Sequence, residues 1–513
     1  MEPSNPARSS PEGPPGPAPQ YFLTRFMILR LLGLVYFFAF LSLAFQWRPL
    51  LGQKGLTPAG LFLGRFQMEC GSLGRALWEL PSLFWFGHSD AILSIGAWLG
   101  VGLSFLVLIG FANSILMFIL WVLYMSFVHI GQDWYGYGWE IQLLETGFLS
   151  IFLVPLLDPR PFPKTPPPIQ VLWLLRWLIF RVMVGAGLIK LRGDPCWRTL
   201  TCLKYHYETQ PIPNPLSPYF HFMPLWFHKM GALFNHMVEL VAPWAIPFGR
   251  KARTIAGCLM AAFQVMLILS GNLSFLNWLT LVPILSCFDD AFWARFLPRS
   301  LRERVKRAAQ EAVPSKASQW SAWGLTILVS ILSVNPVVNL LSSHQAMNAA
   351  FEPFDLVNTY GAFGSVGEER MQLVIEGTTD KVLGPDTSWI PYPFRAQPGD
   401  LYRRPVVCSP YHYRLDWQIW FAAMSEPAQY PWVFHLIWKL LWNDPGALSL
   451  LAGNPFPQEP PSFIRVRLFR YQFAPLSHTN GQWWTREELG LWLPPLSRDN
   501  PDFQRILKAY GWI

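Results

Sequence analysis

The run from Ala91 to Gln132 carries no formally charged side chain. A helix crosses a hydrocarbon core with about 20 apolar residues, so this run is long enough to cross twice. In that medium the backbone N–H and C=O groups have no water to bond, which leaves helices and closed barrels as the spanning forms. The run breaks at Gly110, Asn113 and Ser114, which predicts a tight helical hairpin. Composition extends the reading to the whole chain. Of 513 residues, 52% are hydrophobic and 14% are charged, whereas soluble domains carry about 25% charge. The 26 Trp, 16 Tyr and 39 Phe fit rings gathered at membrane–water interfaces. Intrinsic disorder is excluded for most of the length, because it requires low hydrophobicity.

Further apolar segments follow the same logic. Leu31 to Trp47 lies uncharged between Arg30 and Arg48 and reads as a first span. It starts late for a signal peptide and lacks a clear small-residue cleavage site. Segments 138–157, 168–190, 230–248, 254–270 and 273–288 read as spans four to eight, and a ninth lies between Ala317 and Phe351. Basic residues fall between spans: Arg160 and Lys164; Arg250, Lys251 and Arg253; then Arg295, Arg299, Arg302, Arg304, Lys306 and Arg307. With nine spans and a cytosolic N-terminus, all three clusters are cytosolic, as the positive-inside rule requires. The net charge of +8 is thus a topological signal. Nucleic-acid binding would need a basic groove or stripe instead.

The expected fold is a polytopic α-helical membrane protein of about nine spans with a C-terminal α+β soluble domain. Residues 1–20 read as a disordered Pro-rich tail. Residues 21–345 form the membrane domain, with a lumenal loop at 191–229 and a cytosolic basic linker at 289–318. Residues 346–513 form the lumenal domain. There LVNTYGAFGS, MQLVIEG and FIRVRLFRYQF read as strands, and LDWQIWFAAM and PWVFHLIWKLLW as helices.

Charges inside spans are costly and functional by default. Glu145 and Arg181 sit in consecutive antiparallel spans at a matching depth of roughly 18–20 Å, at 1.5 Å per residue, and form a candidate intramembrane ion pair. On span six, Asn235 and Glu239 share a face, as do His236 and Glu239; a His beside a carboxylate can move a proton or hold helices together. Lys190 ends span five, where a desolvated Lys can act as a base or snorkel to the interface. Lys190, His236 and Glu239 are the catalytic candidates. In the loop GDPCWRTLTCLKYHYETQPIPNP, the residues Asp194, Trp197, Tyr205, His206, Tyr207 and Glu208 concentrate recognition chemistry and are the client-binding candidates. They equally suit a lid packed on the membrane domain. Cys196 and Cys202 are close enough in sequence to bridge in an oxidising compartment. No spacing matches a metal site, and no cofactor motif is present. The sequon Asn272-Leu273-Ser274 falls in a tight hairpin, so it is expected to be unmodified.

The segments GWEIQLLETGFLSIFL, WLIFRVMVGAGLIKLRGDPCWRTLTCLKYHYETQPIPNP, SGNLSFLNWLTLVP, CFDDA, VVNLLSS, VNTYGAFGS and SPYHYRLDWQIWFAA resemble the lipase maturation factor family, in order from about residue 20 to the end. The pattern is closer to the first of its vertebrate-type branches than to the longer second one. The N-terminal tail and residues 378–400 depart from the family pattern. The resemblance implies a multi-pass endoplasmic reticulum protein that assists folding and dimer assembly of secreted homodimeric lipases: lipoprotein, hepatic and endothelial lipase. It implies client contact through 191–229 and 350–513. Bacterial relatives of undefined role would place it in an inner membrane. AGLIKL and ELVAP are also distantly similar to the vitamin-K-dependent γ-carboxylase membrane domain. In that family a Lys at the position of Lys190 is the active-site base; here Ile189 replaces the Lys that precedes it there. A folding factor is therefore the leading expectation, and a membrane enzyme using Lys190, His236 and Glu239 the alternative.

Overall fold

The computed structural model describes residues 20–477 and 481–513. The Pro-rich tail, apart from Gln20, lies outside the described residues. Each of the nine apolar segments contains helix. In chain order they are α1 (Phe22–Leu51), α2 (Asp90–Ile109), α3 (Ser114–Ile130), α4 (Gly138–Ile151), α5 (Ile169–Arg192), α7 (Leu225–His236), α8 (Gly249–Ser270), α9 (Leu276–Ile284) and α10 (Lys316–Leu332). A short helix, α6 (Leu203–Thr209), lies in the loop after α5.

Local chemistry sets the boundaries. The Ser89 hydroxyl accepts from Ile92 N–H to start α2, and Gly110 at φ +134° ends it. The Asn113 side chain then accepts from Leu116 N–H and starts α3. These are the cap and the left-handed turn a hairpin needs. Five helices among the described residues are long and apolar enough to cross a membrane: α1, α2, α5, α8 and the run Lys316–Leu341 that contains α10. The others are shorter. Segment 138–157 is helical only to Ile151, and segment 230–248 is interrupted by a π turn at Met237–Val241. Pro243 follows that turn, and its missing N–H cannot continue the ladder.

Small residues let the helices approach. A Cβ on Gly33 would lie 2.6 Å from the Leu108 backbone nitrogen, and one on Gly187 the same distance from Leu240 Cδ2. Such contacts replace the hydrophobic drive that helices lack in lipid. The three basic connections gather at one end of the bundle. Asp290 accepts from Phe22 and Leu23 N–H at the start of α1, each at 2.8 Å. Arg250 pairs with Asp289, and Lys164 with Glu311 at 2.9 Å. The loop 191–229 packs at the opposite end.

The C-terminal part contributes a four-stranded antiparallel sheet of order β2-β1-β3-β4, with β1 Arg370–Thr378, β2 Ile390–Pro391, β3 Phe463–Phe473 and β4 Trp484–Leu496. Helices α11 (Arg414–Ala422) and α12 (Trp432–Leu441) accompany it. Both expected helices and two of the three expected strands form. LVNTYGAFGS does not: it is irregular, with one isolated bridge, Ala350 to Asn358. Asp355 and Phe363 take φ near +54° and +53°, which break extension, and side chains supply its backbone partners instead. Strand β4 is not among the expected strands, because its charges and Pro494-Pro495 mask the alternation. Prolines are tolerated there because β4 is an edge strand. The apolar core is continuous across both parts, and Trp134 of the bundle packs against Trp432, the rings tilted with centroids 5.0 Å apart.

Candidate functional site

The site grows from the meeting of α4, α5, the loop and the C-terminal chain. Arg181 and Glu145 are paired, and both side chains are buried. The carboxylate does more than meet one cation. It accepts from Asn358 N–H at 3.0 Å and from the Tyr360 hydroxyl at 2.7 Å. Arg181 donates to the Asn358 carbonyl at 2.6 Å. The irregular segment 355–360 is therefore inserted between α4 and α5. Irregular backbone at such depth persists only where protein satisfies its polar groups, and these two charges do so. Gly185 makes room: a Cβ there would lie 2.4 Å from the Tyr360 carbonyl oxygen.

A second buried pair joins the two parts of the chain. Arg414 Nη1 lies 3.0 Å from Glu140 Oε1, with both side chains fully buried. The guanidinium stacks 3.4 Å from the Tyr135 ring centroid. Trp139 Nε1–H donates to Glu140 at 3.2 Å, and Tyr124 donates to it as well. Nothing in sequence spacing links Arg414 to Glu140.

Lys190 and Glu239 also meet, at 2.5 Å and buried. The π turn presents Glu239 to α5, and Asn235 Nδ2 donates to its second oxygen at 2.8 Å. His236 stands apart: its Nε2 lies 3.0 Å from the Trp197 carbonyl oxygen. The three catalytic candidates are neighbours, but none of them lines the cavity described below. Both oxygens of Glu239 are engaged, one by the Lys190 ammonium and the other by Asn235.

Cys196 and Cys202 are bridged, with Cα atoms 4.8 Å apart, which falls in the usual range for a disulfide. Asp194 gathers with them, but a disulfide leaves no thiolate to ligate a metal. The Asp194 carboxylate instead caps the short turn after it, accepting from Cys196 N–H at 2.9 Å. Trp197 is buried and donates to the Phe363 carbonyl at 2.7 Å. Tyr207 is buried, and Tyr205 is partly exposed. Glu208 accepts from Phe473 N–H at 2.7 Å, and Arg370 clamps the carbonyls of Glu208 and Pro211, each at 3.0 Å. Asp194, Trp197 and Glu208, half of the client-binding candidates, thus hold the loop onto the C-terminal chain. Asn272 does the same. It is buried, donates to the Val406 carbonyl at 2.7 Å and accepts from Cys408 N–H at 2.9 Å, so its sequon is closed to a glycan.

His206 differs from its neighbours. It lines a cavity of about 440 Å³ at the junction of the bundle, the loop and the C-terminal part. The walls come from α4 (Trp139, Gln142), α5 (Val182, Ala186), segment 347–371 (Met347, Phe363, Met371) and α11 with its extension (Trp417, Trp420, Met424). Soft thioethers and aromatic rings make an adaptable apolar lining. Burial pulls the His206 pKa down to about 4, with the Lys190 charge adding to the effect. The imidazole is therefore neutral near pH 7. Its folded pKa lies below the unfolded value of about 6.5, so its contribution is complete above pH 6.5 and is lost as pH falls toward 4. Unfolding curves at pH 7 and pH 5 should differ by about 2 kcal/mol through this residue. His206→Phe should remove that increment.

Exposed apolar side chains on the loop occur later than the recognition-type residues. Leu216, Tyr219, Phe222, Met223, Leu225 and Trp226 are exposed, Trp226 at 66%. Residue type favoured 194–208, but of the six residues singled out there Trp197, His206, Tyr207 and Glu208 are buried, whereas these six apolar side chains further along are exposed.

Comparison with known proteins agrees with this architecture. The lipase maturation factor transmembrane domain matches residues 23–295, and the lipase maturation factor C-terminal domain matches residues 356–494. Lipase maturation factor 1 of Mus musculus is 47% identical over 96% of this chain and 90% of its own length. The Homo sapiens protein of that name is 46% identical over 98% of this chain and 94% of its own length. Lipase maturation factor 2 of Homo sapiens is 28% identical over 95% of this chain and 85% of its own length. No solved structure matches. A bundle and a C-terminal part matched in order, by relatives spanning nearly the whole sequence, make this chain a member of the lipase maturation factor family.

Proposed function

We propose that this chain is a non-enzymatic maturation factor of the endoplasmic reticulum membrane that assists folding and dimer assembly of secreted homodimeric lipases of the lipoprotein lipase type. Similarity over nearly the whole chain to proteins named lipase maturation factor 1, at 46% and 47% identity, carries the reading. The N-terminus and the basic end of the bundle face the cytosol, following the positive-inside rule. Residues 191–229 and 346–513 face the lumen, where the client folds. Exposed contiguous apolar surface is what binds an unassembled protein, and Leu216 to Trp226 supply it.

Replacing Phe222, Met223, Leu225 and Trp226 together by Ser tests this. Cells carrying only the variant should make normal amounts of lipase and of the variant but secrete several-fold less active lipase. Normal secretion of active enzyme would reject this surface as the client contact. A membrane enzyme is the competing reading. It is disfavoured because Lys190 and Glu239 are engaged with each other and neither lines the cavity. The double variant Lys190→Met, Glu239→Gln should therefore retain maturation activity. A folded but inactive double variant would favour enzyme chemistry.

A further inference from the structure

The cavity at the junction needs no client to explain its position. It reaches Val182 and Ala186, one to two turns inside α5 from Lys190, and opens toward Gly367 and Glu369 beyond the loop end of the bundle. Its volume of about 440 Å³ falls within the range of roughly 300–1,000 Å³ typical of small-molecule sites. Its walls are mainly apolar, and Glu369 is the one formally charged residue among them. The nearby cations are committed: Arg181 to Glu145, Lys190 to Glu239, and Arg370 to the backbone carbonyls of Glu208 and Pro211. A carboxylate or phosphate head would therefore enter without a counter-charge.

One polar group is free to meet an uncharged ligand. His206 is only 5% exposed as a residue, no hydrogen bond joins either ring nitrogen to another described residue, and neither nitrogen is fully enclosed. Its ring is held edge-on against Phe363, with centroids 4.8 Å apart. A polar group that opens onto a cavity without a protein partner can take one from a ligand. A neutral imidazole offers one donor and one acceptor, and a hydroxyl complements both.

We infer that this cavity binds an uncharged, hydroxyl-headed lipid, its apolar body along Val182, Ala186 and Trp417 and its hydroxyl on His206. The chemistry admits two sources, a monoacylglycerol and a sterol.

The full chain, purified in nanodiscs of phosphatidylcholine, is to be labelled with a photoreactive diazirine-bearing monoacylglycerol and, separately, with a photoreactive sterol. Saturable labelling on α5, α11 or segment 347–371 is expected with at least one probe. The matching unlabelled lipid, 1-oleoylglycerol or cholesterol, should compete at least tenfold better than oleate or lysophosphatidic acid; which of the two competes identifies the source. Ala186→Trp, which fills the cavity, should abolish labelling. His206→Phe should erase the preference over oleate. Two results on the unmodified chain would overturn the proposal: no saturable labelling at these positions, or equal competition by oleate. Because they need no variant, a misfolded substitution cannot obscure them. Lipase secretion is not the readout, so the outcome is independent of the client reading.

Discussion

Arg414→Met should destabilise the chain by about 3–5 kcal/mol, the usual cost of leaving one partner of a buried ion pair uncompensated. Glu140 would keep its hydrogen bonds from Tyr124 and Trp139, but a carboxylate with no exposed surface would lose its cation. Arg414 also donates to the Trp134 carbonyl and stacks on Tyr135, so its loss frees the turn between α3 and α4. The measurement is thermal unfolding of the purified full chain, followed separately by tryptophan fluorescence and by protease nicking within 395–425. The fluorescence transition should fall by several degrees, and nicking should begin below it. Glu140→Gln combined with Arg414→Met should recover part of the loss, because replacing both charges removes the unpaired one. An unchanged transition in the single variant would show that the pair does not join the C-terminal chain to the bundle.

Much of the bundle was legible because apolarity and charge spacing are local. Ala91 to Gln132 folds into the hairpin its uncharged run demands, with Gly110 and Asn113 at the turn. Glu145 and Arg181 were found by depth alone, since consecutive antiparallel helices turn residue counts into a common height. Lys190 and Glu239 were each singled out, but their mutual pairing was not, because it depends on the π turn at Met237–Val241. What stayed illegible is non-local. Arg414 reaches Glu140 across 274 positions, and no periodicity reports that. The segment around Asn358 has strand-forming composition but lacks a strand partner, and its destination is a carboxylate 213 positions away. The residues Asp194 to Glu208 suggested recognition by their chemistry, and only the position of the C-terminal chain decides that most of them are buried.

Glu145→Ala is expected to have the larger effect on how the two parts are held together. One carboxylate serves Arg181, the Asn358 N–H and the Tyr360 hydroxyl. Removing it strands a buried guanidinium, at about 3–5 kcal/mol, and orphans two buried donors at about 1–3 kcal/mol each. The total is comparable with the whole stability of many domains, about 5–15 kcal/mol, so segment 355–360 should leave its slot rather than remain with these groups unpaired. Protease cleavage between 350 and 366, absent in the unmodified chain, is the predicted sign. Gly185→Ala separates this device from general instability. It leaves every charge in place but sets a methyl 2.4 Å from the Tyr360 carbonyl, so it should expose the same segment at a smaller cost, about 1–3 kcal/mol. Cleavage at the same bonds in both variants would mean that the segment is held by two independent means, space at Gly185 on α5 and charge at Glu145 on α4. Cleavage in neither would mean that the segment is retained by the rest of the C-terminal chain and that the Glu145 cluster fixes only the register of α4 against α5.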